Sequence, residues 1–433
     1  MLISKYYNYI IQVFSSSLFR SSGIYTVSSV INAAIPFFIL PILTRELTPT
    51  DYGIVAMFQL SIGLIYPFVA INIEGAIQRK YYDNDISDFP SFVGSCLVLF
   101  MVSFLVNSIL FYFFFSYIHE FTQIQDVWIK YILIVAAFQF ITAIVLVLYQ
   151  VKVKPIKFGI IQITRSILYF SFTILFVVGL NKSWEGVLGA QILTGAFFSI
   201  TSLIILYKTK SLNLNINYKD IKFALRFGLP LIPHAIGGIL FTSIDRLFLT
   251  NMINLEQTGN YTVAYQLGSI IALFTVAFNN AYVPWLFGKL SQNNSQININ
   301  IVRFTYVYFL FIFLFATFLL IIFPTLSSFL VGNKFNNIST YSTFIVYGLV
   351  FQGMYFMVTN YIIYSKKTYI LAAITGSVAI IKLPITYYGI LWFGAVGASF
   401  SYFITFFIFF IVVWVFSAKV HKMPWNIFQL IKS

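Results

Sequence analysis

The sequence predicts an all-α polytopic membrane protein, with about twelve transmembrane helices in two six-helix bundles related by a parallel internal repeat. Three observations predict it: a composition too apolar for water, a one-sided placement of Lys and Arg between successive apolar runs, and a motif that returns half a chain later. Of 433 residues, 60% are hydrophobic and 9% charged, with mean hydropathy +0.89, whereas soluble domains carry about 25% charged residues. A bilayer core about 30 Å thick is crossed by about 20 apolar helical residues, so the length supports a dozen crossings on short loops.

Apolar runs bounded by charges and turn residues place the spans near 20–43, 51–73, 89–115, 127–149, 156–180, 184–207, 222–245, 257–283, 301–324, 339–363, 368–391 and 394–416. Residues 1–19 carry Lys5 and broken apolar stretches without a small-residue cleavage site, which predicts an interfacial segment rather than a signal peptide. The 51 Phe and 29 Tyr match an AT-rich coding sequence as well as any aromatic chemistry, and carry no functional weight.

Positive residues are retained on the cytoplasmic side of a membrane, so their distribution sets the orientation. With the N-terminus inside, the cytoplasmic loops hold Lys5 and Arg20; Arg79 and Lys80; Lys152, Lys154 and Lys157; Lys208, Lys210, Lys219, Lys222 and Arg226; Lys289 and Arg303; Lys366 and Lys367; Lys419, Lys422 and Lys432. The other side receives only Arg45, Lys130, Lys182, Arg246 and Lys334, one per loop. Both termini are therefore expected in the cytoplasm. The net charge of +14 is then topological information, and no nucleic-acid partner is expected.

Trp184-Glu185-Gly186-Val187-Leu188-Gly189-Ala190 returns as Trp392-Phe393-Gly394-Ala395-Val396-Gly397-Ala398, offset by 208 residues. Near the start of each half, Arg20, Leu43, Thr44 and Gly53 correspond to Arg226, Leu249, Thr250 and Gly259 at an offset of 206. Six spans per half restore the original side, so duplication yields parallel halves, 1–211 and 212–433, about an axis along the membrane normal. The glycines also suit tight turns and close helix contacts.

Two cations lie far from any loop. Arg165 is nine residues into the fifth span, about 13 Å at 1.5 Å per residue, and Lys382 is deep in the eleventh. A cation at that depth costs at least ~2.5 kcal/mol, so it should face a watery cavity or a partner, or snorkel. Arg20, Arg226 and Arg303 at cytoplasmic span ends suit either the mouth of an anion-attracting cavity or plain positive-inside anchors, and Arg246 would extend such a cavity to the other side. Pro36 and Pro41 in the first span match Pro230 and Pro233 in the seventh; they are hinge candidates or passive helix prolines. His234, Asp245 and Glu74 are candidates to bind a coupling ion. The bland alternatives are a hydrogen-bonded core histidine for His234 and, for Asp245, an ion pair with Arg246 or an interfacial charge.

Enzyme signals are weak. Asp83-Asn84-Asp85, with Asp88, looks like a short metal motif but fits a solvated acidic turn better. Cys96 alone permits no disulfide or multi-cysteine metal site, and no phosphate-binding loop or nucleophile elbow is present, so no cofactor, metal or catalytic residue is expected.

From Leu225, LRFGLPLIPHAIGGILFTSIDRLFLTNMINLEQTGNYTVAYQLG resembles the seventh and eighth helices of polysaccharide-repeat flippases of the Wzx type, and PFFILPILTRELTPTDYGIVAMFQ followed by EGAIQRKYYD is similar to their first two. With the helix count and repeat, the resemblance covers essentially the whole chain. It implies membership in the multidrug/oligosaccharidyl-lipid/polysaccharide exporter superfamily and a V-shaped pair of bundles. The implied cargo is an oligosaccharide linked through pyrophosphate to undecaprenol, moved from the cytoplasmic to the periplasmic leaflet of a bacterial inner membrane. It also implies membrane lipids, a polysaccharide polymerase and a chain-length regulator as partners. Without an ATP site, a proton or sodium gradient is the expected energy source. The rivals are a drug or metabolite antiporter of the same superfamily, which would carry buried acids, and a polysaccharide polymerase, which would carry a large periplasmic loop.

Overall fold

A computed structural model of the protein describes residues 17–83, 88–292, 294–335 and 338–426. Lys5 with most of the expected interfacial segment, Asn84, Asp85 and Lys432 lie outside the described residues. In chain order the helices are α1 (Ser17–Glu46), α2 (Pro49–Ala70), α3 (Ile73–Lys80), α4 (Phe89–Phe113), α5 (Phe115–Thr122), α6 (Asp126–Val151), α7 (Pro155–Ile174), α8 (Trp184–Lys208), α9 (Tyr218–Gly228), α10 (Ile232–Met252), α11 (Leu255–Gly268), α12 (Ile270–Leu290), α13 (Ser295–Leu330), α14 (Ile338–Tyr364), α15 (Thr368–Phe393) and α16 (Ala395–Val420). Among the described residues, eleven segments are long and apolar enough to cross a membrane, and α1, with 30 residues, supplies the remaining predicted span.

Local chemistry explains the boundaries. Thr48 and Asp51 form a reciprocal cap on α2: Asp51 accepts the Thr48 amide at 2.8 Å, and the Thr48 hydroxyl accepts the Asp51 amide at 3.2 Å. Asp88, one member of the acidic turn, caps α4 by accepting from the Ser91 amide at 3.1 Å. Asp83, another, pairs with Arg79 at 2.7 Å. The predicted eighth span, 257–283, is divided into α11 and α12. Ser269 stands at the division, with its hydroxyl bonded back onto the Gln266 carbonyl at 2.7 Å. In the seventh span, Leu229–Leu231 is a 3-10 turn around Pro230, and Pro233 lies in the first turn of α10. The matching Pro36 and Pro41 lie within continuous α1.

The chain forms two compact units. The first comprises the chain up to Ile35, Ser61–His119 and Ile124–Pro233. Its helices include α6, α7 and α8, with Phe100 of α4 stacked on Phe140 of α6 at 4.3 Å. The connection after α8 is fastened to this unit: Asn213 N–H donates to Pro90 O at 3.0 Å and Asn217 N–H to Ser95 Oγ at 3.0 Å. Gly94 permits the first bond, since a Cβ there would collide with the Asn213 carbonyl.

The second unit comprises Pro36–Leu60, Glu120–Gln123 and the chain from His234 onward. Helices α14, α15 and α16 form its packed centre, where Gly389 and Gly397 bring two helix backbones together. This unit also shows the repeat as a pseudo-twofold contact. A Cβ on Gly53 would collide with the Leu255 carbonyl, and a Cβ on the repeat-related Gly259 would collide with the Pro49 carbonyl, itself the repeat mate of Leu255. Around this crossing, Arg45 donates to Phe329 O at 3.3 Å, while Asn251, 206 residues later, donates to Phe121 O at 2.9 Å. Thr44 accepts the Gly332 amide at 3.1 Å, and the carbonyl of its mate Thr250 accepts from Gln123 at 3.0 Å. Corresponding segments therefore meet twice, once from each half of the sequence, with different atoms making the bonds at Thr44 and Thr250.

Candidate functional site

Asp245 of α10 and Lys382 of α15 are both fully buried in the second unit. Lys382 Nζ lies 2.7 Å from Asp245 Oδ2 and donates to the Phe241 carbonyl at 2.6 Å. It also lies 5.2 Å from the Tyr402 ring centre. Thr386, one turn after Lys382, donates to Asp245 Oδ1 at 3.2 Å, and the Tyr261 hydroxyl donates to Oδ2 at 3.3 Å. Two buried charges are tolerated when their attraction and added hydrogen bonds offset lost hydration. Every donor in this set serves that end. Of the settings the sequence leaves open for Lys382, the structure shows a partner: its charge is paired with Asp245. The Asp245–Arg246 pair considered from sequence gives way for a geometric reason: adjacent helical residues point about 100° apart.

Arg246 lies beside this cluster. Its guanidinium sits 5.0 Å over the Tyr265 ring, Nη1 donates to Ser243 Oγ at 3.3 Å, and Nε is enclosed without a hydrogen-bond acceptor. The residue is half-buried. No carboxylate among the described residues lies within ion-pairing distance of it.

In the first unit, the Tyr66 hydroxyl donates to Glu74 Oε1, while Glu74 Oε2 is enclosed and has no partner. Arg165 of α7 is half-buried, within electrostatic reach of the Tyr66 hydroxyl, and likewise has no carboxylate partner among the described residues. Gln162, one turn before Arg165, has an enclosed Oε1 without a donor. This unit thus gathers a carboxylate, a phenol and a guanidinium, with polar atoms left unsatisfied.

The other sequence candidates stand apart. Arg226 on α9 is exposed, as are His234, Pro36, Pro230 and Pro233, whereas Pro41 is half-buried. Arg303 is half-buried on α13. Arg20 is in the first turn of α1, and its side chain lies outside the described residues. Sequence reasoning missed Tyr66, Tyr261, Tyr265, Thr386 and Tyr402; only Thr386 left a signal, its one-turn spacing from Lys382. No group of metal-ligating side chains occurs among the described residues.

Residues 18–291, more than half of the chain, match a family model described as "Polysaccharide biosynthesis protein". A Haemophilus influenzae protein described as "Uncharacterized membrane protein" is 24% identical over 357 residues, covering 81% of this chain and 85% of that protein. A solved structure of the lipid II flippase MurJ in an inward closed conformation matches with a TM-score of 0.74 and 16% identity, over 94% of this chain and 89% of that one. An inward-facing MATE-family multidrug resistance transporter of the MOP superfamily matches with 0.68 and 14%, over 94% and 96%. These likenesses establish the fold: a multi-pass membrane protein of the two-bundle class expected from the repeat.

Proposed function

This chain belongs to the polysaccharide biosynthesis protein family, and we propose that it is a flippase carrying an undecaprenyl-pyrophosphate-linked oligosaccharide, an O-antigen or similar repeat unit, from the cytoplasmic to the periplasmic leaflet. The observation that carries this reading is an excess of interior positive charge: Arg165 and Arg246 are half-buried guanidiniums without carboxylate partners among the described residues. Pyrophosphate and sugars cannot cross hydrocarbon unaided, and guanidiniums offset their lost hydration through short charge-assisted hydrogen bonds. The lipid tail stays in the bilayer, and no covalent chemistry is required of the protein. The inner membrane, cytoplasmic termini and a downstream polymerase with its chain-length regulator belong to the same reading.

The neighbour's name, lipid II flippase, describes a cargo of related build. The antiporter alternative asks for uncompensated interior acids to receive a cation, yet Asp245 is neutralised by Lys382, which leaves Glu74. Coupling to a proton or sodium gradient through Glu74 completes the proposal. The test is Arg165→Ala at matched protein level in a strain that depends on this gene. Surface polysaccharide is expected to fall by about tenfold or more, the scale of losing a charge-assisted bidentate contact. Undiminished output would sink the reading of Arg165 as a cargo contact.

A further inference from the structure

We propose that the cargo-facing cation of the second unit is Arg246, and that Asp245 and Lys382 act as positioning residues that hold it in place. The assignment rests on the anionic-cargo reading above and divides the roles within it. Asp245 and Arg246 are consecutive on α10, so fixing one fixes the direction of the other. Asp245 is held from two sides, by Lys382 and Thr386 on α15 and by Tyr261 on α11. With α10 locked at that rotation, Arg246 projects along a different direction and rests over the Tyr265 face.

The two cations differ in what remains available to a ligand. Lys382 has no exposure, is neutralised by a carboxylate, and donates to a carbonyl as well. Binding an anion there would require leaving Asp245 charged and unpaired in an enclosed site. Arg246 has five N–H donors, one of them committed to Ser243. Its enclosed Nε lacks an acceptor, and its plane is steadied by an aromatic ring. A planar fork with free donors matches the paired oxygens of a phosphate or pyrophosphate. Since Asp245 and Lys382 sum to zero, Arg246 supplies the uncompensated charge of this cluster.

The experiment uses the purified full chain in detergent and isothermal titration with farnesyl diphosphate, inorganic pyrophosphate and farnesol. The wild type is expected to bind farnesyl diphosphate more tightly than either fragment. Arg246→Gln should weaken that binding by about tenfold or more, and Arg246→Lys, which keeps the charge and loses the fork, should fall between. Lys382→Met and Asp245→Asn should each weaken it by leaving one buried group unpaired, whereas Asp245→Asn/Lys382→Met together, in which no charge is stranded and the Asn amide oxygen still accepts from Thr386 to hold α10, should return to within about threefold of the wild type. Undiminished binding by Arg246→Gln, or a double variant as weak as Arg246→Gln, overturns the assignment. Equal wild-type affinity for pyrophosphate and farnesyl diphosphate overturns the lipid-linked reading while Arg246 stands as an anion site. A wild type that binds neither overturns both.

Discussion

Asp245 and Lys382 are separated by 137 residues in sequence and by 2.7 Å in space, and each makes the other's burial tolerable. Removing Lys382 alone strands a carboxylate among Thr386, Tyr261 and a backbone carbonyl, with a cost of ~3–5 kcal/mol. Removing both charges strands neither. Lys382→Met is therefore expected to lower the melting temperature in detergent clearly, and Asp245→Asn/Lys382→Met to recover most of the loss. Equal melting temperatures for the single and double variants would show that the pair does not carry stability. From sequence, membrane depth marked Lys382, and both members of the pair were candidates, but nothing local announced the pairing. Their contact depends on how α10 meets α15, which no short-range pattern encodes.

Helix boundaries obey shorter-range rules, and here the sequence is more informative. Apolar runs place most spans within a few residues because length and hydropathy are local properties. The division of the eighth span falls at Ser269, a break that hydropathy does not register. Helix crossings are where small residues decide the outcome. A methyl on Gly53 meets the Leu255 carbonyl, and backbone cannot be displaced cheaply, so Gly53→Ala is expected to cost ~1–3 kcal/mol, read as a lowered melting temperature. Gly237→Ala, on α10, meets nothing within 4 Å and should be neutral or stabilising by up to ~1 kcal/mol from helix propensity. A Gly53→Ala protein as stable as Gly237→Ala would remove the close crossing from the account.

At the scale of the whole molecule, composition and the repeat made the fold class legible, because both average over hundreds of residues. The site was legible only as a set of deep charges, since charge and depth are sequence properties and orientation is not. The proposed coupling is a property of the complete transporter and is tested there. In proteoliposomes, a gradient of one pH unit offers about 1.4 kcal/mol per proton, so coupled flipping should change by up to about tenfold. Glu74→Gln, which keeps an acceptor for Tyr66 and removes the titratable proton, should flatten that response. Flipping indifferent to both proton and sodium gradients in the wild type would exclude ion coupling.

The doubled contact around Gly53 and Gly259 has an ancestral consequence. A single six-helix chain whose residue at this position touched the opposite helix start would, as a parallel homodimer, make the contact twice from one codon, as any isologous interface does. Fusion of two such genes frees the copies to drift. Such drift would leave what Arg45 and Asn251 show: different side chains reaching corresponding carbonyls, of Phe329 and Phe121. A contact that an isologous dimer makes between two subunits is here made within one chain.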